Sequence, residues 1–317
     1  MRFYLQIALI ILASSLIGCG RSEDVTHDTS ENEIPHEKVS AVDSMMDFVR
    51  SNGLKIGLNA AGKSILQIGV ESVHIAPNET ASFEAKRRAA YDMAFKRALC
   101  KIVEIIQCDV KDESGLCSDA EEGDSSGNKC RLITKTCKGV ISGFRILNQV
   151  ESYDEGGNYQ IALLVAWSKK IQDSIDAVCK RESTKIALKP GNGSLGDWVE
   201  DTDFALNIGY RLYVDCDGVI WSIGIVLPED ARNESRAKGE ALRWASYARG
   251  CQLSAEIRCG SSLEDEDPTF DESINVEPLR LIDISNKSIK WFKREVTSPV
   301  SGCKLNAIVC AIPCSEF

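Results

Sequence analysis

The chain has 317 residues, 44% hydrophobic and 26% charged, with a formal net charge of -10 and a mean hydropathy of -0.14. That length and apolar fraction suit a globular body of one or two domains, and the hydropathy argues against apolar spans beyond the amino terminus. The acidic balance argues against nucleic acid, or an anionic lipid surface, as a partner of the body.

Met1-Arg2 opens the chain, and Phe3 to Ile17 is apolar apart from Gln6, Ser14 and Ser15. A short basic start and an apolar core of roughly 15 residues are too short for a transmembrane helix and have the form of an export signal. The stretch closes Leu16-Ile17-Gly18-Cys19, which matches the lipobox of bacterial lipoprotein precursors. The expectation is a signal peptide over 1–18, cleaved so that Cys19 becomes the lipid-bearing first residue. Gly20 rather than Asp follows it, the pattern associated with outer-membrane sorting. About 299 residues then remain, and loss of Arg2 takes the charge to -11. Residues 19–40 are polar, with too little apolar side chain to offset the entropy of ordering, and read as a flexible tether.

Beyond the tether the sequence can be laid on itself. A first unit over 41–180 and a second over 194–317 are joined by a linker at 181–193. Asp47-Phe48-Val49 and Asp197-Trp198-Val199 each read as part of a short helix. Leu54–Leu58 and Tyr210–Val214 read as strands, followed by turns at Asn59–Gly62 and Asp215–Gly218. Ile65–Val70 aligns with Ile220–Ile225, each with an internal glycine, Gly69 and Gly224. A helix is expected over Ser82–Ile106, with Ala85, Ala89, Ala90, Ala94 and Ala98 at helical spacing. Its counterpart is expected over Asn233–Leu253, with Ala237, Ala241, Ala245 and Ala248. Cys100 with Cys108 and Cys251 with Cys259 share a C-x7-C spacing at the expected helix ends. Two strands close each unit: Val140–Ser152 and Tyr159–Trp167, then Ile289–Thr297 and Lys304–Ala311. The expected fold is α+β: two tandem repeats of helix–strand–strand–helix–strand–strand, each an antiparallel-rich sheet with one long helix packed on it.

Of 13 cysteines, Cys19 is set apart by the lipobox, which leaves an even number. Cys100, Cys108, Cys117, Cys130, Cys137 and Cys179 fall in the first unit; Cys216, Cys251, Cys259, Cys303, Cys310 and Cys314 fall in the second. In an exported chain the default is disulfides, here within each half, with pairing that spacing does not fix. The absence of any C-x2-C pair and the scattered His27, His36 and His74 argue against zinc.

The alanine-rich helix after a glycine-bearing strand, the strand Tyr159–Ser168, and the later Gly209-Tyr210-Arg211-Leu212 with Asp217-Gly218 resemble uncharacterised bacterial envelope proteins built from duplicated modules. The strand–helix–strand unit is more distantly similar to the N-terminal domain of flagellar assembly protein T. The resemblance spans most of residues 45–313. It implies an envelope location and an assembly or scaffolding role, with no catalytic residue to carry over.

Several motifs invite chemical readings. Gly57 to Ser64 matches the phosphate-binding loop G-x4-G-K-S, but that loop needs a helix after it, and Ile65–Ile75 reads as a strand. Gly191-Asn192-Gly193-Ser194-Leu195-Gly196 has the dinucleotide-loop spacing without a βαβ unit around it, and reads as a linker with a helix starting near Ser194. His74 reads as a surface histidine, and Glu264–Asp267 with Asp271-Glu272 as a solvated acidic loop rather than a calcium site. The expectation is therefore a non-enzymatic protein without cofactor, nucleotide or metal. It is held to the membrane through the lipid on Cys19, faces the periplasm from the outer membrane, and binds other envelope proteins. The rival reading is an envelope hydrolase or thiol-redox enzyme with a site between the two repeats.

Overall fold

The computed structural model describes residues 40–59, 64–76, 80–111, 131–154, 156–180, 189–204, 207–228, 234–261, 269–297, 302 and 304–317. The expected leader, Cys19 and the tether up to residue 39 lie outside them. In chain order the first half contains α1 (Ala41–Ser51), β1 (Gly57–Asn59), β2 (Ser64–His74), α2 (Thr80–Gln107), β3 (Cys108–Lys111), β4 (Arg131–Ile141), β5 (Phe144–Tyr153), β6 (Asn158–Ser168) and α3 (Lys169–Cys179). The second contains α4 (Leu195–Asp201), β7 (Gly209–Val214), β8 (Ile220–Val226), α5 (Glu234–Ala245), β9 (Cys251–Ser261), β10 (Thr269–Pro278), β11 (Lys290–Thr297) and β12 (Lys304–Pro313). The fold is α+β with three antiparallel sheets, as the sequence led us to expect in class though not in number of sheets.

Two of the sheets have corresponding strand orders, β1-β2-β6-β5 and β7-β8-β12-β11. In each, one long helix lies on the strand that carries a glycine. A Cβ built on Gly69 would sit 1.8 Å from the Ala94 carbonyl oxygen and 2.8 Å from the Ala98 nitrogen. A Cβ on Gly224 would sit 1.8 Å from the Ala241 carbonyl oxygen and 2.8 Å from the Ala245 nitrogen. Only glycine admits a helix backbone this close. The first sheet is covered on its other face by α1, whose Ala41, Met45 and Val49 bury one stripe against Leu66, Ile68, Ala162 and Leu164. Ser40 caps that helix by accepting from the Asp43 N–H at 3.1 Å.

The third sheet, β3-β4-β9-β10, joins the halves. β4 pairs with β9 along its whole length, from Arg131 opposite Ser261 to Ile141 opposite Cys251. The main hydrophobic core likewise runs through both halves. At its centre α2 and α5 meet through Tyr91 and Phe95 against Trp244, with Phe144, Tyr210 and Tyr247 closing the aromatic cluster. Arg88–Glu240 at 2.9 Å and Arg243–Asp92 at 3.1 Å flank this contact. The two halves therefore share one sheet and one core.

Some expected boundaries are corrected. The second long helix does not run to Leu253. It ends at Ala245, passes through a 3-10 turn at Ser246–Arg249, and stops at Gly250, whose φ of +114° no helix accommodates. Cys251 opens a strand instead, with Leu253 and Ala255 buried in alternation. Cys100 lies within α2 whereas Cys251 begins β9, so the shared C-x7-C spacing does not mark equivalent positions. The expected strand Val140–Ser152 is split at Ser142-Gly143, where Gly143 has φ +78°. The hairpins β3–β4 and β9–β10 and the helix α3 are additions to the expected pattern.

Gly69→Ala and Gly224→Ala are each expected to destabilise the fold by about 3 kcal/mol, because overpacking forces helix and sheet apart. Denaturant melts check this. Gly239→Ala, on the exposed side of α5 where an added Cβ would meet nothing within 4 Å, is the control and is expected to stabilise by about 0.5–1 kcal/mol.

Candidate functional site

A cluster of buried charged groups lies between α2 and the first sheet, and Arg211 reaches it from the second half. On α2, Glu84, Arg87 and Tyr91 share the face that continues to Ala94 and Ala98, following the helical repeat. On β5, Gln149 and Glu151 alternate onto the facing side, and β6 adds Tyr159. Arg87 has no exposed surface. Its Nε and Nη2 donate to Glu151 at 2.7 and 2.6 Å in a two-pronged pair, and its Nη1 donates to Glu84 at 3.3 Å. Tyr159 Oη donates to Glu151 at 2.7 Å, and Gln149 Nε2 donates to the same carboxylate. From β7, Arg211 donates to Tyr91 Oη at 3.0 Å, to the Tyr210 carbonyl at 2.7 Å and to Gln149 Oε1 at 3.4 Å. The second arginine therefore attaches the other half to the same network. Among the described residues, Glu84 Oε1 is buried with no hydrogen-bond partner.

The electrostatics follow from this packing. Burial disfavours the Arg87 cation, but the Glu151 hydrogen bonds and charge more than offset it and hold the guanidinium above its ordinary range. Burial, then the Glu151 carboxylate, pushes the Tyr159 phenol well above its usual value. Burial also raises Tyr91, against the opposing pull of Arg211. Arg87 is thus held as a cation by the carboxylates packed around it. General acid–base work requires such groups to come within hydrogen-bond reach of a substrate. Here the Arg87 side chain is sealed, and its carboxylates point at it.

Among the described residues, the motifs singled out in the sequence are not brought together. Strand β2 follows the phosphate-loop match, with Asn59 opposite Ser64; residues 60–63 lie outside the described residues. Gly191 donates its N–H to the Val214 carbonyl at 2.7 Å, and Ser194 with Asp197 forms a capping box at the start of α4. His74 is exposed at the end of β2. Residues 264–267 lie outside the described residues; Asp271 and Glu272 are on strand β10, not in a loop, and Glu272 pairs with Arg97 at 2.7 Å. Arg97 also meets Glu71 at 2.6 Å.

Among the described residues the cysteines join no group of three that could hold a metal ion. Cys117, Cys130 and Cys303 lie outside the described residues; for Cys108, Cys137 and Cys259 only the backbone is described, and its register sets Cys108 opposite Cys137. Cys100 Sγ donates to Glu104 Oε1 at 3.7 Å. Cys179, Cys216, Cys251, Cys310 and Cys314 are thiols, of which Cys216 is exposed in the β7–β8 turn. Burial raises the thiols of Cys251 and Cys314 far above their ordinary value, and that of Cys310 to about 12.

The sequence reading missed the buried network. Its signal was present: Glu84 and Arg87 occupy positions on the buried stripe of α2 that an amphipathic helix reserves for apolar side chains.

No family model and no curated protein matches the chain. Among solved structures it is similar to a hypothetical protein from Francisella tularensis, at 12% identity and a TM-score of 0.45, covering 89% of this chain and 93% of that one.

Glu151→Gln is expected to cost about 3–5 kcal/mol in a denaturant melt, since it leaves Arg87 buried beside a neutral amide. Arg87→Met with Glu151→Leu together should cost much less than the sum of the single changes. With the protein folded and reduced, Cys216 should be alkylated at neutral pH while Cys251, Cys310 and Cys314 react only on unfolding, as read by mass spectrometry.

Proposed function

We propose that the chain is a lipid-anchored, non-enzymatic envelope protein whose body is a rigid interaction module. One observation carries the non-enzymatic part. Arg87, at 0% exposure, directs its donors to Glu151 and Glu84, and Arg211 ties the cluster to the other half, as befits a joint and not a reaction centre. The anchor rests on the lipobox ending at Cys19 and the polar stretch after it. We further propose that the body arose by duplication. The corresponding strand orders and the paired contacts Gly69–Ala94 and Gly224–Ala241 support this, and they replace the cysteine spacing as its basis.

A surface suited to a protein partner lies on the third sheet. Lys138, Gly139 and Val140 of β4 and Gln252, Leu253 and Ser254 of β9 line an open groove of about 600 Å³. Val140 is 60% exposed there, and Leu279, 44% exposed, follows β10 and donates its N–H to Gly250. Exposed apolar side chains beside a groove are a feature of protein-binding surfaces.

Two measurements test this reading. Metabolic labelling with palmitate should mark the native chain and not Cys19→Ser; an unlabelled native chain would sink the anchor. Affinity capture of the lipidated protein from crosslinked envelopes should recover a specific protein that Val140→Asp loses without losing its fold. Recovery of none, or a hydrolase or thiol-redox activity in the purified chain, would overturn the scaffold reading.

A further inference from the structure

We infer that Cys179 and Cys314 are the two halves of a disulfide that ties the last helix of the first half to the carboxyl terminus of the chain. Cys179 ends α3, and Cys314 opens the final 3-10 turn, Cys314–Glu316. Cys179 Sγ lies 3.2 Å from the Cys314 carbonyl oxygen, which places the two residues side by side although they are 135 positions apart. The surrounding packing keeps them there. The turn at Ser246–Arg249 places Arg249, whose Nη1 donates to the Phe317 carbonyl at 3.2 Å, so the last residues are held against the end of α3. Cys314 is fully buried, and after burial itself the neighbour that most disfavours its thiolate is Cys179. This pairing differs from the expectation of disulfides confined to each half, because it crosses between them.

The two thiols differ in a way that orders the chemistry. Cys179 is partly exposed; burial raises its thiol, and the Arg249 guanidinium beside it pulls the other way. Cys179 as thiolate attacks one sulfur of a disulfide oxidant, forms a mixed disulfide and expels one thiolate. Cys314 then loses its proton and attacks the Cys179 sulfur, the second thiolate leaves, and the two cysteine protons end on the two released thiols. The oxidant gains two electrons and the pair loses two. Only the supply of that oxidant in the cell rests on the export reading; the pairing rests on the geometry.

The experiment uses the full-length protein, purified reduced, incubated with oxidised glutathione, alkylated and digested with trypsin. The expected product joins peptide Ile171–Lys180 to peptide Leu305–Phe317. The second contains Cys310 as well as Cys314, and cleavage in the spectrometer at Ile312-Pro313 separates them. The link should reside on the Pro313–Phe317 fragment, survive Cys310→Ser and vanish in Cys314→Ser. The oxidised native protein should melt roughly 5 °C above the reduced one, a shift that Cys314→Ser abolishes. A Cys179 that is alkylated, carries glutathione, or is joined to another cysteine in the folded native protein would overturn the pairing. None of these outcomes depends on where the cell places the chain, so failure of the export reading would leave this result standing.

Discussion

The spacing between helix and sheet depends on two glycines. At Gly69 and Gly224 a helix carbonyl occupies the place a side chain would take, so α2 and α5 rest almost on the backbone of β2 and β8. That close approach turns the remaining faces of the two helices toward each other. There Tyr91, Phe95, Trp244 and Tyr247 interdigitate, and the ion pairs Arg88–Glu240 and Arg243–Asp92 close the rims. With larger residues at the two glycines the helices would stand off their sheets, and the aromatic cluster between them would lose its fit.

Burying Arg87 in that setting has a cost that its partners must offset. An isolated guanidinium would be strongly disfavoured there, and its stability depends on the paired geometry with Glu151 and the second carboxylate of Glu84. Such a network adds less net stability than an apolar core of equal volume, but it penalises any arrangement in which one partner is displaced. Because Arg211 of β7 meets Tyr91 and Gln149, that penalty also applies to movement of one half against the other. The β4–β9 pairing supplies the same constraint through backbone hydrogen bonds. Both features describe a body built to hold its shape.

Much of the outline was legible in the sequence. The strands β2, β6, β7, β8, β11 and β12 and the helix α2 were predicted within a few residues, from β-branched and aromatic runs between turn residues in the strands and alanines at helical spacing in α2. The hairpins of the third sheet were not. The alanine stripe Ala237, Ala241, Ala245 and Ala248 carried the expected helix past its end, and the stop signal that Gly250 provides through its positive φ was passed over. Of the charged network only the helix half had a local signal, Glu84 and Arg87 on the stripe of α2 that packs inward; that Glu151 is their partner is fixed only when the helix is laid on the sheet.

The sequence by itself determined the α+β class and the order of most elements, because these depend on residue spacing and on short contiguous turn signals. Tertiary structure alone decided that β4 joins β9, that Arg87 meets Glu151, and that Cys179 lies beside Cys314. Those relations link residues far apart in the chain, and their partners are chosen by packing distance and desolvation, which no local pattern encodes.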